Sequence, residues 1–181
     1  VIISADSRQI YKEIHIGTAA PSCNQQKAVQ HFMVGSHSIL DYYNAYEYEQ
    51  EVLNLLSDIF KNKSTALLVG GSMMYIDALC NGIDDLPTIS PEIRKQVMEL
   101  YHNKGLEFLQ DELFKLDPDF HDEIDLKNPK RVIHAIEICY MTGQPYSTMR
   151  TKSVRERPFN IVRIALDMDR DLLYDRINQR V

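Results

Sequence analysis

Val1-Ile-Ile-Ser-Ala-Asp6-Ser-Arg-Gln9-Ile-Tyr11 opens the chain with a short apolar run that delivers an acid and three hydrogen-bonding side chains to one point. Apolar runs that end in polar loops are how open parallel sheets present chemistry, at the carboxyl ends of their strands. A second run of this kind, Thr65-Ala-Leu-Leu-Val69, is followed by Gly70-Gly71-Ser72 and then by a helix expected over about 73–80. Between the two runs Tyr48, Val52, Leu55, Leu56, Ile59 and Phe60 recur at helical spacing, which predicts an amphipathic helix over 45–61. Near-continuous apolar strands alternating with helices imply an α/β fold, a parallel sheet with helices on its faces. Residues 161–168 read as a third such strand. From Arg170 onward a helix is expected, with Leu172, Leu173, Ile177 and Val181 along one side.

The middle of the chain has a different character. From 84 to 158 no segment reads convincingly as a strand. Ser90-Pro91 is a helix start, a cap residue with proline in the first turn. Ile93, Val97, Leu100 and Tyr101 then repeat helically until Asn103-Lys104-Gly105 stops the run. A second helix passes through Leu106, Leu109 and Leu113 and ends near Asp117-Pro118. A third opens at Asn128-Pro129, buries Val132, Ala135, Ile136, Cys139 and Tyr140, and closes at Gly143. The expected organisation is therefore an α/β core of residues 1–83 and 159–181, interrupted by an all-helical insertion of residues 84–158. Val1 falls inside a strand and Val181 in mid-helix, so both ends read as cut.

At 181 residues the chain can bury one good core, or a core with a smaller satellite. No apolar run approaches the roughly 18–20 residues that span a bilayer, so no membrane association is expected. Three widely spaced cysteines, Cys23, Cys80 and Cys139, argue against a disulfide framework or a zinc cluster and for reduced thiols in the cytoplasm. The six histidines show no metal-ligand spacing, so no protein-held metal is read from them. The net charge of −6 is unevenly spread. Residues 99–125 carry nine acids and two lysines, whereas residues 127–163 carry eight Lys or Arg and two Glu. Such segregation offers one basic surface to an anionic partner, or else a solvated charged face.

Four places could carry chemistry. Asp6, just after a strand, is either a turn-capping residue or a carboxylate placed to accept a proton. Gly70-Gly71-Ser72 supplies a tight strand-to-helix turn with Ser72 as the cap, and free amides at a helix start also attract anions. Arg94, after Ser90-Pro91, reads by itself as an ordinary exposed side chain. Asn128-Pro-Lys130-Arg131-Val-Ile-His134 places two cations in the first turn of a helix, where they oppose its dipole; that conflict suggests an anionic partner. Arg150, Lys152, Arg155, Arg157 and Arg163 follow, as further phosphate contacts or as a charged loop. Tyr42, Tyr43, Tyr46 and Tyr48 could stack bases, or form a half-buried aromatic patch at a helix start.

Asp6-Ser7-Arg8-Gln9-Ile10-Tyr11, with Ile16-Gly17-Thr18-Ala19 and a proline at 21, resembles the tRNA dimethylallyltransferase (tRNA isopentenyltransferase) family. Asp41-Tyr-Tyr-Asn-Ala45, Leu68-Val-Gly-Gly-Ser-Met-Met-Tyr75, Leu86-Pro-Thr-Ile-Ser-Pro-Glu-Ile-Arg94 and Ala165-Leu-Asp-Met168 extend the likeness along nearly the whole chain. The resemblance implies a P-loop nucleotide-kinase-like fold. It also implies transfer of a dimethylallyl group from dimethylallyl diphosphate to the N6 amino group of the tRNA adenine 3′ of the anticodon. Asp6 would then be the catalytic acid-base residue. Ser7, Arg8, Gln9, Ser72, Arg94, Lys130, Arg131, Val132, Ile133 and His134 would join it in contacting the anticodon stem-loop. Mg²⁺ is implied with the diphosphate, its ligand in a glycine-rich loop ending Lys-Thr that the family carries before the position of Val1. Further carboxyl-terminal helices and arginines are expected after Val181, so the polypeptide as written would be inactive. A monomer acting in the cytoplasm is the expected setting. Val29-Gln30-His31 departs from a His-His pair common in the family, which leaves His31 without an implied role. Other readings stay open: an adenylate isopentenyltransferase making cytokinin, a P-loop small-molecule kinase, or a non-enzymatic RNA-binding module.

Overall fold

Alternation along the opening run settles which of its residues make the core. The computed structural model describes residues 1–84, 86–151 and 154–180. In it β1 (Ile2–Ser4) lies between β2 (His31–Phe32) and β3 (Leu67–Val69), all parallel. Ile2 stands opposite His31 on one side and Leu67 on the other. Successive side chains of a strand point to opposite faces. Ile3 and Ala5 therefore share one face, and both are buried against Tyr48, Val52, Leu56 and Ile59 of α2 (Ala45–Ile59) and Tyr75 and Leu79 of α3 (Met73–Asn81). Tyr48 stacks on Tyr75 with ring centroids 4.1 Å apart and donates its hydroxyl to the Ser4 carbonyl at 2.9 Å. This buried aromatic pair joins both helices to the strand that ends at Asp6.

Helix α2 starts where a reciprocal cap forms: Asn44 accepts from the Glu47 amide, and the Glu47 carboxylate accepts from the Asn44 amide. A short helix, α1 (Cys23–Ala28), is capped in the same way by Ser22 and Gln25. It has no buried residue, so no apolar stripe announces it in the sequence.

The contacts divide the chain into two compact units, Val1–Ile83 with Val154–Val181, and Asp84–Ser153. The return to the α/β unit thus comes at 154 and not at 159. Arg155 donates its amide to the Asn81 carbonyl at 2.7 Å, and Phe159 packs on Phe60 at 5.7 Å. Residues 161–168 are not a strand. Val162 and Leu166 are 83% and 96% exposed, because the run has no ladder partner among the described residues, and apolar composition alone does not hold a strand. Helix α8 (Arg170–Arg180) forms as expected, but Leu172, Leu173 and Ile177 remain exposed.

The second unit is helical throughout its described residues: α4 (Pro91–Leu116), α5 (Pro118–Glu123), α6 (Pro129–Thr142) and α7 (Tyr146–Met149). Ser90 caps α4 by accepting from the Ile93 amide. Gly105, at φ 80°, breaks α4 in the middle, a backbone conformation that side chains disfavour. Val97, Leu109, Leu113, Phe120, Val132, Ala135 and Ile136 form the core. Asp117 is buried beside it, accepting from the amides of Phe120 and Ser147 and from the Ser147 hydroxyl. Among the described residues no helix is long and apolar enough to cross a membrane.

Candidate functional site

In the α/β unit the loop after β1 is built around Asp6. Its Oδ1 accepts the amides of Arg8 at 2.8 Å and Gln9 at 3.3 Å, which winds the chain into a tight turn at the sheet's carboxyl end. Both bonds fall on Oδ1, so Oδ2 is the oxygen left to take a proton. The turn-capping reading of Asp6 is therefore realised, and it holds the carboxylate in place through one oxygen.

Ser72 meets this loop from β3. It occupies the cap position of α3 but makes no side-chain bond to that helix. Its Oγ instead accepts the Ser7 amide at 2.7 Å, and its own amide donates to the Ala5 carbonyl at 3.0 Å. The expectation of a conventional helix cap is corrected on this point, since the hydroxyl faces across the sheet. Gly70 makes the approach possible: a Cβ there would stand 2.3 Å from the carbonyl carbon and oxygen of Ala5. Tyr75 lies near enough to Asp6 to feel its charge, and burial first of all pushes its phenol up to about 12. It is a neutral hydroxyl at physiological pH.

Gln9 is committed to the loop itself. Its Oε1 accepts the Ser4 hydroxyl at 3.1 Å, while its Nε2 donates to the carbonyls of Thr18 and Ala19. Arg8 is exposed. Ser4, which sequence reasoning passed over, also accepts the Asp6 amide at 3.3 Å. Ser4 and Gln9 border a cavity of about 430 Å³ on the sheet face opposite α2 and α3, together with Ile2, Pro21, His31 and Val69. His31, with no role implied by sequence, faces this cavity and bonds the Val29 carbonyl at 2.7 Å. The Tyr42 to Tyr48 cluster is mostly structural. Tyr48 is buried, and Tyr43 packs on His37 and donates to Glu51.

The helical unit carries the other expected residues. Lys130 and Arg131 are exposed in the first turn of α6, behind the Asn128 cap, and no acid accompanies them there. His134, one turn on, is 45% exposed, and its ring meets the edge of Tyr146 at 5.7 Å. Burial lowers its pKa from the ordinary value, Glu137 opposing that shift and Arg94 adding to it. Arg94 is exposed at the start of α4 and donates Nε to Glu137 Oε1 at 3.3 Å. Arg94 and His134 are thereby brought together on one carboxylate. Val132 is corrected: it is wholly buried in the helical core, so its side chain meets protein and not RNA. Ile133 packs partly against the same core.

The downstream arginines are mostly engaged within the protein. Arg157 is 7% exposed and pairs with the fully buried Glu49, while Arg155 reaches the same carboxylate at 3.7 Å. Arg163 donates to Asn81 at 2.8 Å, and Arg150 pairs with Glu123 at 3.0 Å. Lys152 lies outside the described residues. Glu49 and Glu137 were missed in the sequence. Both lie within buried helical stripes, and Glu137 also lies three residues after His134, the spacing at which helix neighbours meet.

Residues 9–181 match the family model described as IPP transferase. The chain is 54% identical over 180 residues to tRNA dimethylallyltransferase 1 of Bacteroides thetaiotaomicron, covering 99% of this chain and 58% of that protein. It is likewise 54% identical over 180 residues to tRNA dimethylallyltransferase 1 of Bacteroides fragilis, covering 99% and 60%. The chain thus spans about three fifths of the length of the curated relatives it matches. Among solved structures, the full-length tRNA isopentenylpyrophosphate transferase from Bacillus halodurans superposes with a TM-score of 0.56 at 30% identity, covering 99% of this chain and 55% of that one. A eukaryotic dimethylallyltransferase acting on tRNA superposes with a TM-score of 0.76 at 22% identity, covering 99% and 44%, a likeness of fold. These structures agree with the P-loop nucleotide-kinase-like α/β class expected from the sequence.

Proposed function

The chain belongs to the IPP transferase family, and from that premise we propose that the whole protein transfers a dimethylallyl group from dimethylallyl diphosphate to the N6 amino group of the tRNA adenine 3′ of the anticodon. The observation that carries the proposal is the Asp6 loop: a carboxylate fixed through one oxygen at the carboxyl end of β1, in a chain whose residues 9–181 match the family.

The acceptor amine is a poor nucleophile, because its lone pair is delocalised into the purine ring. Transfer forms a bond from that nitrogen to C1 of the donor and breaks the C1–O bond to diphosphate. The nitrogen must also shed a proton. Asp6 Oδ2 accepts it, while the Arg8 and Gln9 amides hold Oδ1 and so set the direction from which the amine approaches. A positioned base of this kind contributes about 10²- to 10⁴-fold. Ser72, by accepting the Ser7 amide, ties the loop to β3 so that the carboxylate cannot swing away. The adenine is reached by extruding it from the anticodon-loop stack, which a single-stranded loop permits at modest cost.

The helical unit, in this reading, grips the RNA through Arg94, Lys130, Arg131 and His134. Mg²⁺ would serve the diphosphate, neutralising its charge as it leaves. Among the described residues no group of three or more His, Cys, Asp or Glu is arranged to hold a cation. The chemistry assigned to Asp6 does not depend on a cation held by such a group. The monomeric state and the cytoplasmic setting belong to the same proposal.

The test uses the full-length protein with labelled dimethylallyl diphosphate and Mg²⁺, offering unmodified tRNA and AMP as competing acceptors. Label in tRNA is the expected result. Label in AMP would move the reading to cytokinin synthesis, and label in neither would revive a kinase or a binding module. Asp6→Asn should lower prenyl transfer by about 10²-fold or more; activity within threefold of wild type would remove Asp6 as the base.

A further inference from the structure

Glu137 is an acid with no place in the reading above. It lies on α6, packed beside the helical core, with its side chain only 4% exposed. A carboxylate withdrawn from water to that degree is unfavourable unless it is paired. Its two oxygens face two different partners: Oε1 accepts Arg94 Nε at 3.3 Å, and Oε2 stands 3.8 Å from His134 Nδ1. Both partners keep their outer parts in solvent, at 56% and 45% side-chain exposure.

The edge of Arg94 that is used decides the consequence. A guanidinium carries five N–H donors in a rigid fork. Pairing through Nε leaves the two terminal nitrogens of a half-exposed side chain for another acceptor, the pair that end-on bidentate recognition of a phosphate uses. His134 Nδ1 stands 3.8 Å from the other oxygen, and Lys130 lies one turn before it on the same helix face. We infer that Glu137 is a positioning residue for tRNA, which holds Arg94 beside His134 so that the outer edge of the Arg94 guanidinium meets an RNA phosphate. The inference rests on the reading that the protein acts on tRNA, and it adds a residue that itself touches no substrate.

A positioning role and a mere neutralising role differ in sign. If Glu137 only cancelled charge, its removal would leave the surface more basic, tighten tRNA binding and steepen the salt dependence. If it orients Arg94, its removal must weaken binding even though the surface becomes more basic. In the full-length protein, Glu137→Gln keeps the shape and one acceptor oxygen but loses the charge. It should raise KM for tRNA by about three- to tenfold and leave KM for dimethylallyl diphosphate within twofold, since only ground-state RNA contacts are altered. In an Arg94→Ala background the same substitution should add little, because the partner it orients is gone. Arg94→Lys, an exposed change that does not threaten the fold, keeps the charge but lacks the Nε edge, and should raise KM for tRNA as Glu137→Gln does.

An unchanged or lowered KM for tRNA in Glu137→Gln would overturn the inference. So would an equal effect with and without Arg94, or wild-type behaviour of Arg94→Lys. Wild-type turnover of tRNA is the control: its absence would remove the parent reading and this inference with it, whereas turnover with an unaltered KM in the variants would overturn the inference alone.

Discussion

Replacing Arg157 by methionine should cost the α/β unit about as much as any single change outside its apolar core. Glu49 is fully buried on α2, and the Arg157 guanidinium that pairs with it is 7% exposed. The same guanidinium donates to the carbonyls of Leu79 at 2.8 Å and Ala78 at 2.7 Å, the last turns of α3. Arg157→Met keeps the aliphatic stem but leaves one buried carboxylate and two helix-end carbonyls short of a donor. Breaking a buried pair from one side costs about 3–5 kcal/mol. Arg155 recovers part of this, because its Nη1 already stands 3.7 Å from Glu49, and the Ile83 amide still bonds the other carboxylate oxygen at 3.3 Å. A net loss of about 3 kcal/mol is therefore expected. Removing both charges, as Glu49→Leu with Arg157→Met, should restore most of it, since an apolar replacement of a buried pair is often neutral. The assay is urea unfolding of the full-length protein and its variants, followed by far-UV circular dichroism. A single-variant loss below about 1 kcal/mol, the range of exposed pairs, would refute the reasoning. A double variant no more stable than the single one would refute it equally.

Gly70→Ala should cost about 2–3 kcal/mol and depress prenyl transfer more than stability, because the new Cβ meets the Ala5 backbone at 2.3 Å and pushes Ser72 off the Asp6 loop; urea unfolding and turnover, measured side by side, check this. Charge reversal at Lys130 and Arg131 should weaken tRNA binding and lower the slope of log K against log salt by about 2, as two phosphate contacts are lost, read by filter binding at several salt concentrations. For His134, burial lowers the folded pKa below the ordinary 6.5, so the folded state favours the neutral ring. The stability this ring allows is complete above about 6.5 and is lost as the pH falls from there toward the folded value. His134→Asn should therefore flatten the fall in Tm between pH 7.5 and 5.5.

Legibility in the sequence followed the source of each element's stability. Helix α2 was readable from its buried stripe, and helix α6 from its stripe with its stops, Asn128 before and Gly143 after, because these signals are local. Strands β1 and β3 were readable as apolar runs. Strand β2 was not, since a two-residue strand has no periodicity to detect. The run at 161–168 shows the converse. Its composition is that of a strand, yet a strand also needs a ladder partner, and none is paired with it among the described residues. Within the site, Asp6 could be singled out because a polar residue ending an apolar run is conspicuous. The role of Ser72 could not, because whether a hydroxyl serves its own helix or a loop 65 positions away is decided by tertiary approach. Arg155 and Arg157 illustrate the same limit: as letters they extend a basic run, but in the fold a buried glutamate claims them.

The Asp6 loop is held by the same contacts that close the sheet, and this bears on how such a site can be altered. Ala5 accepts the Ser72 amide and donates its own amide to Val69 at 2.7 Å, so the residue before Asp6 is also the last rung between β1 and β3. Tyr48 bonds the Ser4 carbonyl one residue earlier, from the core side. The carboxylate is thus braced by backbone and core groups, and only its Oδ2 is left to chemistry. A substitution aimed at repositioning Asp6 must disturb β1, β3 or the Tyr48–Tyr75 stack, and each of those belongs to the folding core. Changes in the helical unit carry no such penalty, because Arg94, Lys130, Arg131 and His134 are held by one carboxylate and one helix turn at the surface of a separate core. Under the proposed function, recognition would therefore be altered by single surface substitutions in the helical unit, whereas the position of the Asp6 carboxylate can change only together with the sheet that carries it.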